Sequence, residues 1–508
     1  MQNDFNITKE NVLIQNKVGT KNEQIESAIN LSGKNVEKIL SVGTCFNIVS
    51  SESLVGEVTY NANLVNNIVY KLEDGTIENT TLSTPLSSRF ENELLTATSS
   101  IFIIPNIISN EIEKIGEDNF KIKTNVELSF TSSNNQEIDI YAGGDENVFV
   151  MQTEIPLSSL TAKNCSLFTQ PIILEAKCPV DSVLSTHVGA ITTKTESLDS
   201  MVVVEGKIFA NALIKSAEET PRIFAISNLE DFREEIEDGN VKENNQIVLA
   251  AKVVCEDIKT EIQENGESVE ISVPVDICYD VVETRNVTVV TDAYSVKNEI
   301  TTTTGGFNST ELLPKETFEF KFDGNISLDE ETPRVDKIIA TDGSYLTITN
   351  ISLSDNELLV EGIVKTNLIY LNDDENKLNS INIEIPFSET QRANTNFANN
   401  IIYETFVSGV DASAKKGREI FIDGKITLAI SPSTQTSHAV ISNVEIGEEI
   451  ESSTSAIEIY FANAGQTLWD IAKDLKVSKD TLALQNSDLP EVMEGGEKVV
   501  YYNQKTLN

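Results

Sequence analysis

One short plan occurs three times in the chain, about 150 residues apart: NVEKIL at Asn35–Leu40, PVDSVL at Pro179–Leu184 and RVDKII at Arg334–Ile339. Each is followed by a longer apolar segment of shared design, at Val58–Tyr70, Met201–Lys215 and Leu358–Leu371. The period is much longer than the roughly 20 to 50 residues of stacked solenoid units, so it predicts duplicated whole domains. Within the segments, Tyr60, Leu64 and Ile68, then Val204, Ile208 and Ala212, then Val360, Val364, Leu368 and Tyr370 share one strand face, which predicts a core side. Val-Glu-Gly stands in the second and third copies where the first has Tyr60, Asn61 and Ala62. Gly206 and Gly362 are therefore expected at a bulge or a close backbone approach, and Asn67, Asn211 and Asn367 as turn or bulge hydrogen-bonders. A further strand follows each copy, at Thr84–Phe90, Leu229–Glu235 and Glu384–Thr390.

Runs rich in Val, Ile, Thr, Phe and Tyr between Asn, Asp, Gly and Ser clusters continue to about residue 450, the pattern of strands joined by turns. The expected fold is mainly β: three tandem β-sandwich-like domains over residues 1–150, 151–306 and 307–450, then a small α+β (βααβ) domain over 457–503. Junctions are expected near Gly143 and Gly144, in the Thr301–Gly306 run TTTTGG, and in the Ser/Thr-rich stretches Ser431–Ser437 and Glu451–Ser455.

Lys and Arg number 38 against 80 Asp and Glu, a formal charge of −42. Such a field repels nucleic acid and anionic lipid, so a partner met across a broad face is expected to be neutral or basic. MQNDFNITKE carries no basic stretch followed by an apolar one, so no signal peptide is expected. The most apolar runs fall well short of the about 20 residues of a spanning helix. Cys45, Cys165, Cys178, Cys255 and Cys278 are odd in number and form no C-x-x-C pair, which reads as reduced, mostly buried thiols of a cytosolic protein, with a disulfide framework or a zinc site as the lesser alternative.

After residue 455 the character changes. Ile457–Ala462 alternates like a strand, and Ala464 and Gly465 turn the chain. Thr467 can cap a helix whose Leu468, Ile471, Ala472 and Leu475 lie on one side. Ser478 can cap a second helix, carrying Leu482 and Leu484 and ending near Asn486, and Lys498–Tyr502 reads as a closing strand. These residues resemble a LysM module: Tyr460, Gly465-Gln466-Thr467-Leu468, Ile471-Ala472, Val477-Ser478, Leu482, Asn486 and a glycine turn at Gly495 or Gly496, with Gln466 where the family has an acidic residue. The resemblance implies a shallow groove for N-acetylglucosamine polymers such as peptidoglycan between two loops. On one side stand Gly465, Gln466, Thr467 and Leu468, and on the other Asn486, Ser487, Asp488 and Leu489. Leu468, Ile471 and Leu482 are expected as core, and Trp469, the chain's one tryptophan, as a partly exposed surface anchor. From Ile457 to the end there are eight carboxylates and five lysines, so no basic surface is expected there.

Three β-domains with these entries, followed by one LysM module, resemble the SPOCS-domain proteins of spore-forming Firmicutes, among them the spore-coat morphogenetic proteins of clostridia. The resemblance implies a non-enzymatic scaffold in the mother-cell cytoplasm, at the forespore surface. There the LysM module engages the sporulation ATPase, and other coat proteins are recruited. The alternative is a cell-wall protein whose LysM module holds peptidoglycan.

No catalytic, metal or cofactor site is expected. His187 and His438 are the only histidines, so H-E-x-x-H cannot occur, and neither G-x-S-x-G nor a P-loop is found. Asn372–Asn376 (NDDEN) lacks the Gly and distal Glu of a calcium loop and reads as a solvated turn.

Overall fold

In a computed structural model, which describes residues 6–145, 147–373, 377–415, 417–451 and 455–503, the alternation read at Val58–Tyr70 becomes a set of long antiparallel strands. Residues 1–5 of the N-terminal stretch, 374–376 of the NDDEN turn and 452–454 of the last Ser/Thr-rich junction lie outside the described residues. The first run of strands is β1 (Ile7–Asn30), β2 (Val36–Leu54), β3 (Glu57–Leu72), β4 (Ile77–Glu91), β5 (Ser100–Lys114) and β6 (Asn119–Tyr141). The second is β7 (Val148–Glu175), β8 (Val180–Leu198), β9 (Met201–Ser216), β10 (Ile223–Glu237), β11 (Gln246–Val253), β12 (Lys259–Ile262) and β13 (Ser268–Ser295). The third is β14 (Asn298–Leu312), β15 (Glu316–Ser327), β16 (Val335–Ser354), β17 (Glu357–Asn372), β18 (Leu378–Arg392), β19 (Asn400–Lys415) and β20 (Glu419–Glu449). A short tail follows: β21 (Ile457–Phe461), helices α1 (Leu468–Leu475) and α2 (Lys479–Gln485), and β22 (Lys498–Tyr502).

Each run makes one three-stranded meander, β2-β3-β4, β8-β9-β10 or β16-β17-β18. The same run's remaining strands form a second sheet around a long central partner: β1-β6-β5, then β13 with β7, β11 and β12, then β20 with β14, β15 and β19. The two layers of the third run close on Val360, Val364, Leu368 and Tyr370 from the meander and on Phe320, Ile422, Ile426 and Leu428 from the other sheet. In the second run Val204, Ile208 and Ala212 face Ile271, Val273 and Val275, and in the first Tyr60 and Leu64 face Val126, Leu128 and Phe130. The molecule is thus mainly β, with sandwich-like layering, and the faces predicted from alternation are the buried ones.

Close backbone approach explains the glycines. A Cβ on Gly206 would stand 2.3 Å from the Ile191 carbonyl oxygen and 2.4 Å from the Phe232 ring. On Gly362 it would stand 2.4 Å from the Thr347 oxygen and 2.9 Å from Phe387. Phe232 and Phe387 are the cross-strand partners of these glycines, so each ring lies over a bare backbone. The asparagines sit inside strands and not in turns: Asn67 Nδ2 donates to the Thr186 carbonyl (3.2 Å) and Asn367 Nδ2 to that of Asp342 (3.2 Å).

The opposite faces of β3, β9 and β17 are also buried towards their C-terminal ends. Val69, Leu213 and Ile369, at corresponding positions, meet Leu40, Leu184 and Ala340 in one cluster. The buried Asp342 carboxylate accepts from the Ser41 hydroxyl (2.5 Å) and the Ser185 hydroxyl (2.6 Å), so one side chain ties all three runs. Further clusters draw on the three long-strand sheets, for example Val12 and Ile140 with Leu157 and Val289 and with Phe307 and Val440.

Three expectations are corrected. Thr301–Gly306 is the interior of β14, paired with β20, and the turn into the third run lies at Val296 and Lys297, where the Ser295 hydroxyl accepts from the Lys297 and Asn298 amides (3.2 Å each). Ser431–Ser437 is the interior of β20, because Ser433 is buried and bonds Gln15 Oε1 (2.7 Å) of the first run. Four cysteines are paired: Cys45 with Cys255 and Cys165 with Cys278, leaving Cys178 single and buried. The partners lie 210 and 113 residues apart, so an odd count without local spacing concealed them. Near Gly143 and Gly144 the strands do break, and both glycines take positive φ (80° and 99°) that other residues rarely adopt.

Candidate functional site

The tail forms its helices through the caps read from sequence. Thr467 Oγ1 accepts from the Asp470 amide (3.3 Å) while the Asp470 carboxylate accepts from the Thr467 amide (2.7 Å), a capping box that starts α1. α1 ends on Lys476 in the left-handed region (φ 55°), and Ser478 Oγ accepts from the Thr481 amide (3.4 Å) to start α2. Strands β21 and β22 pair antiparallel, and Ile471, Ala472, Leu482 and Val499 fill the space beneath them.

Gly465 is exposed, with φ 87°; Gln466, Thr467 and Leu468 are half-buried. Gln466 Nε2 donates to the Tyr460 hydroxyl (2.9 Å), Gln466 Oε1 accepts from the Asn463 amide (2.8 Å), and the Gln466 carbonyl accepts from the Met493 amide (2.8 Å). Its side chain therefore closes its own loop. Asn486 does the same work on the other side: Nδ2 donates to the Leu482 (2.8 Å) and Val500 (2.7 Å) carbonyls, and Oδ1 accepts from the Val500 amide (2.9 Å). Ser487 and Asp488 are exposed, and Leu489 is half-buried against the tail's core. Of the residues read as groove-lining, those left exposed are Gly465, Ser487 and Asp488.

Trp469 is not a surface anchor. It is 7% exposed and lies edge-on to Tyr294 (ring centroids 4.9 Å apart, 75° between planes), with its indole N–H donating to Asp292 Oδ2 (2.8 Å). Lys473 Nζ donates to Asp292 Oδ1 (2.6 Å). Tyr294 stacks on Phe149, donates its hydroxyl to the Val477 carbonyl (2.9 Å) and accepts from the Lys479 amide (3.2 Å). Burial pushes the Tyr294 hydroxyl up to about 12, so it keeps its proton and can donate. Burial also works against the charge of Asp292, but hydrogen bonds from Lys473 and Trp469 hold its carboxyl below the usual range. The Trp469 side of α1 is therefore seated on the end of β13. Local patterning did not reveal Asp292, Tyr294 or Phe149, because nothing in a strand terminus signals which later helix will land on it.

His187 is half-buried, and desolvation of its ring drives the imidazole down to about 4. His438 Nε2 lies 2.8 Å from the Ser309 hydroxyl, and its ring packs on Phe307. Neither stands beside the tail. Among the described residues no helix is long and apolar enough to cross a membrane.

These features define a class: a mainly-β protein of repeated two-layer sheets carrying a small capped two-helix tail. The comparison with known families adds a match at residues 334–415 to the family described as SipL, SPOCS domain. The matched stretch covers β16 to β19, the third meander and the strand after it, and points to a sporulation-related protein engaged in protein–protein contacts. No curated protein and no solved structure gives a significant match.

Proposed function

We propose that the chain is a non-enzymatic scaffold of the spore envelope, built from three SPOCS domains and a C-terminal LysM module. In this reading it works in the mother-cell cytoplasm at the forespore surface. The module docks on the sporulation ATPase, and the β-body recruits other coat proteins. The observation that carries the proposal is the SPOCS match over residues 334–415, together with the recurrence of the same meander at β2-β3-β4 and β8-β9-β10. The formal charge of −42 is in keeping with neutral or basic protein partners and against nucleic acid.

A fluorescent fusion of the full chain, imaged through sporulation in the source organism, tests it. A ring or cap on the forespore that disperses when residues 457–508 are deleted is the expected result. Retention after the deletion would sink the docking role of the module, and signal on the outer wall of growing cells would sink the scaffold reading. The second reading, peptidoglycan binding, draws on the exposure of Gly465, Ser487 and Asp488. It predicts co-sedimentation of the purified chain with insoluble peptidoglycan, whereas a purely protein-docking module leaves it in the supernatant.

A further inference from the structure

Cys165 on β7 and Cys278 on β13 are directly opposite each other in the register of the two strands. Asp276 is two residues from Cys278, on the same face of β13, and its Oδ2 lies 3.5 Å from the Cys278 sulfur. The three ligand-type atoms all lie within 4.8 Å of one another. Cys165 is exposed and the other two are half-buried, and both cysteines border a cleft of about 270 Å³ between the first and second runs, lined also by Lys252, Lys163 and Ser51. Lys252, on β11, is the cross-strand neighbour of Asp276.

We propose that Cys165, Cys278 and Asp276 form a thiol-gated site for a thiophilic divalent cation of the zinc class. The gate is the state of the sulfurs. As a disulfide the pair has no thiolate to offer. Two molecules of a low-molecular-weight thiol can reduce it: the disulfide takes up two electrons and two protons, and the donor leaves as its own disulfide. The two protein thiols then give up their two protons to solvent as the cation binds. Two thiolates and one carboxylate are a ligand set that selects zinc over calcium or magnesium, and three protein ligands leave a fourth tetrahedral position for water or a group arriving through the cleft. Charge closes as well. The three ligands carry three negative charges, matched by the divalent ion and the Lys252 ammonium, so the loaded site leaves no uncompensated charge in a half-buried position.

The test uses the full-length chain carrying Cys45→Ser and Cys255→Ser, so that Cys165–Cys278 is the one disulfide left to open, with Cys178 a single buried thiol in both states. Zinc chloride is added to reduced and to oxidised protein, unbound metal is removed by desalting, and bound zinc is counted by mass spectrometry. About one zinc per chain is expected in the reduced protein and none in the oxidised. Cobalt(II) should give a thiolate charge-transfer absorption in the reduced protein alone. Asp276→Asn should weaken zinc at least ~10-fold in competition with a chromophoric chelator. Equal zinc in both states, no zinc in either, or undiminished zinc in Cys165→Ser would overturn the proposal. The comparison of redox states needs no substitution at the site, so it decides the matter even where Asp276→Asn or Cys165→Ser does not fold, and it can be repeated on the chain with all its cysteines.

Discussion

Tyr294→Ala should release the C-terminal tail while leaving the β-body folded. Tyr294 is 1% exposed, and its ring contacts are Trp469 at 4.9 Å and Phe149 at 5.4 Å between centroids. It groups with the tail's core and not with the cores of the sheets, so truncation strikes the seat alone. Removing a buried aromatic ring costs about 3–5 kcal/mol. At about 1.4 kcal/mol per factor of ten, the balance between seated and released tail shifts on the order of a thousandfold. Tyr294→Phe keeps the ring and removes only the hydroxyl, leaving the Val477 carbonyl and the Lys479 amide without that partner, a cost of about 1–3 kcal/mol. The chain contains one tryptophan, and it is at the seat, so its emission reports the event without interference. Acrylamide quenching and emission maximum in buffer, followed by urea unfolding read in parallel by tryptophan fluorescence and far-ultraviolet circular dichroism, give the shift for each variant. The expected order is wild type, Tyr294→Phe, Tyr294→Ala, with rising quenching and an earlier fluorescence transition but an unmoved dichroism transition. Unchanged quenching in Tyr294→Ala, or a loss below about 1 kcal/mol, would refute the argument that this ring holds the tail.

Asp280, buried and bonded by the Ser100 hydroxyl (2.5 Å), is pushed up to about 7 by burial. A carboxyl raised in the folded state stabilises fully below its unfolded value near 4 and loses that contribution as pH rises through about 7. Asp280→Asn should therefore gain on wild type by on the order of 3 kcal/mol between pH 5 and pH 8 in urea unfolding, and an equal difference at both pH values would contradict it. Gly206→Ala should cost about 1–3 kcal/mol through overpacking. Adding Phe232→Ala should return part of that cost, since it clears the ring but not the Ile191 oxygen, and strict additivity in the double-mutant cycle would exclude the contact. Cys45→Ser should lower stability by about 2–4 kcal/mol in oxidised protein and have little effect once both proteins are reduced; equal losses in the two conditions would mean that the 210-residue crosslink is not the cause.

Period-two alternation was enough to place the inner faces of β3, β9 and β17, because water on one side and core on the other writes a strict pattern. It did not place the outer faces. Val69, Leu213 and Ile369 interrupt the alternation with an apolar residue on the outer side, and that irregularity is the trace of contact between runs. Ser41, Ser185 and Asp342 left no such trace, since a buried carboxylate satisfied by two hydroxyls looks like surface in sequence. The caps of the tail were legible because capping is a local matter of three residues. Its seat was not, because Trp469 is joined to Asp292 across 177 residues of chain. For the same reason Thr301–Gly306 and Ser431–Ser437 misled: Ser, Thr and Gly are loop-like only until a partner strand buries them.

The buried contacts between runs bear on the proposed scaffold role. Flexible tandem domains gain avidity through an effective concentration set by their linkers. Here the turn between the second and third runs is held by the Ser295 hydroxyl, and the Cys45–Cys255 bond crosses from β2 to the turn after β11. Between the second and third runs, Glu404, with 4% of its side chain exposed, accepts from the Thr192 amide (2.9 Å) and from Lys315 Nζ (2.8 Å). Lys315 and Glu404 both belong to the third run, so sliding the second run away would take the Thr192 amide from a buried, ion-paired carboxylate, and these runs resist moving past one another. A partner that touches two runs thus meets surfaces at fixed spacing, and it either matches that spacing or gains nothing from the second contact. The tail is seated on β13 by the same kind of buried polar contact, so it too is presented in one orientation. Under the proposed scaffold role such a body suits partners that are themselves regular, and the seat at Tyr294 is a place where orientation can be lost without loss of the fold.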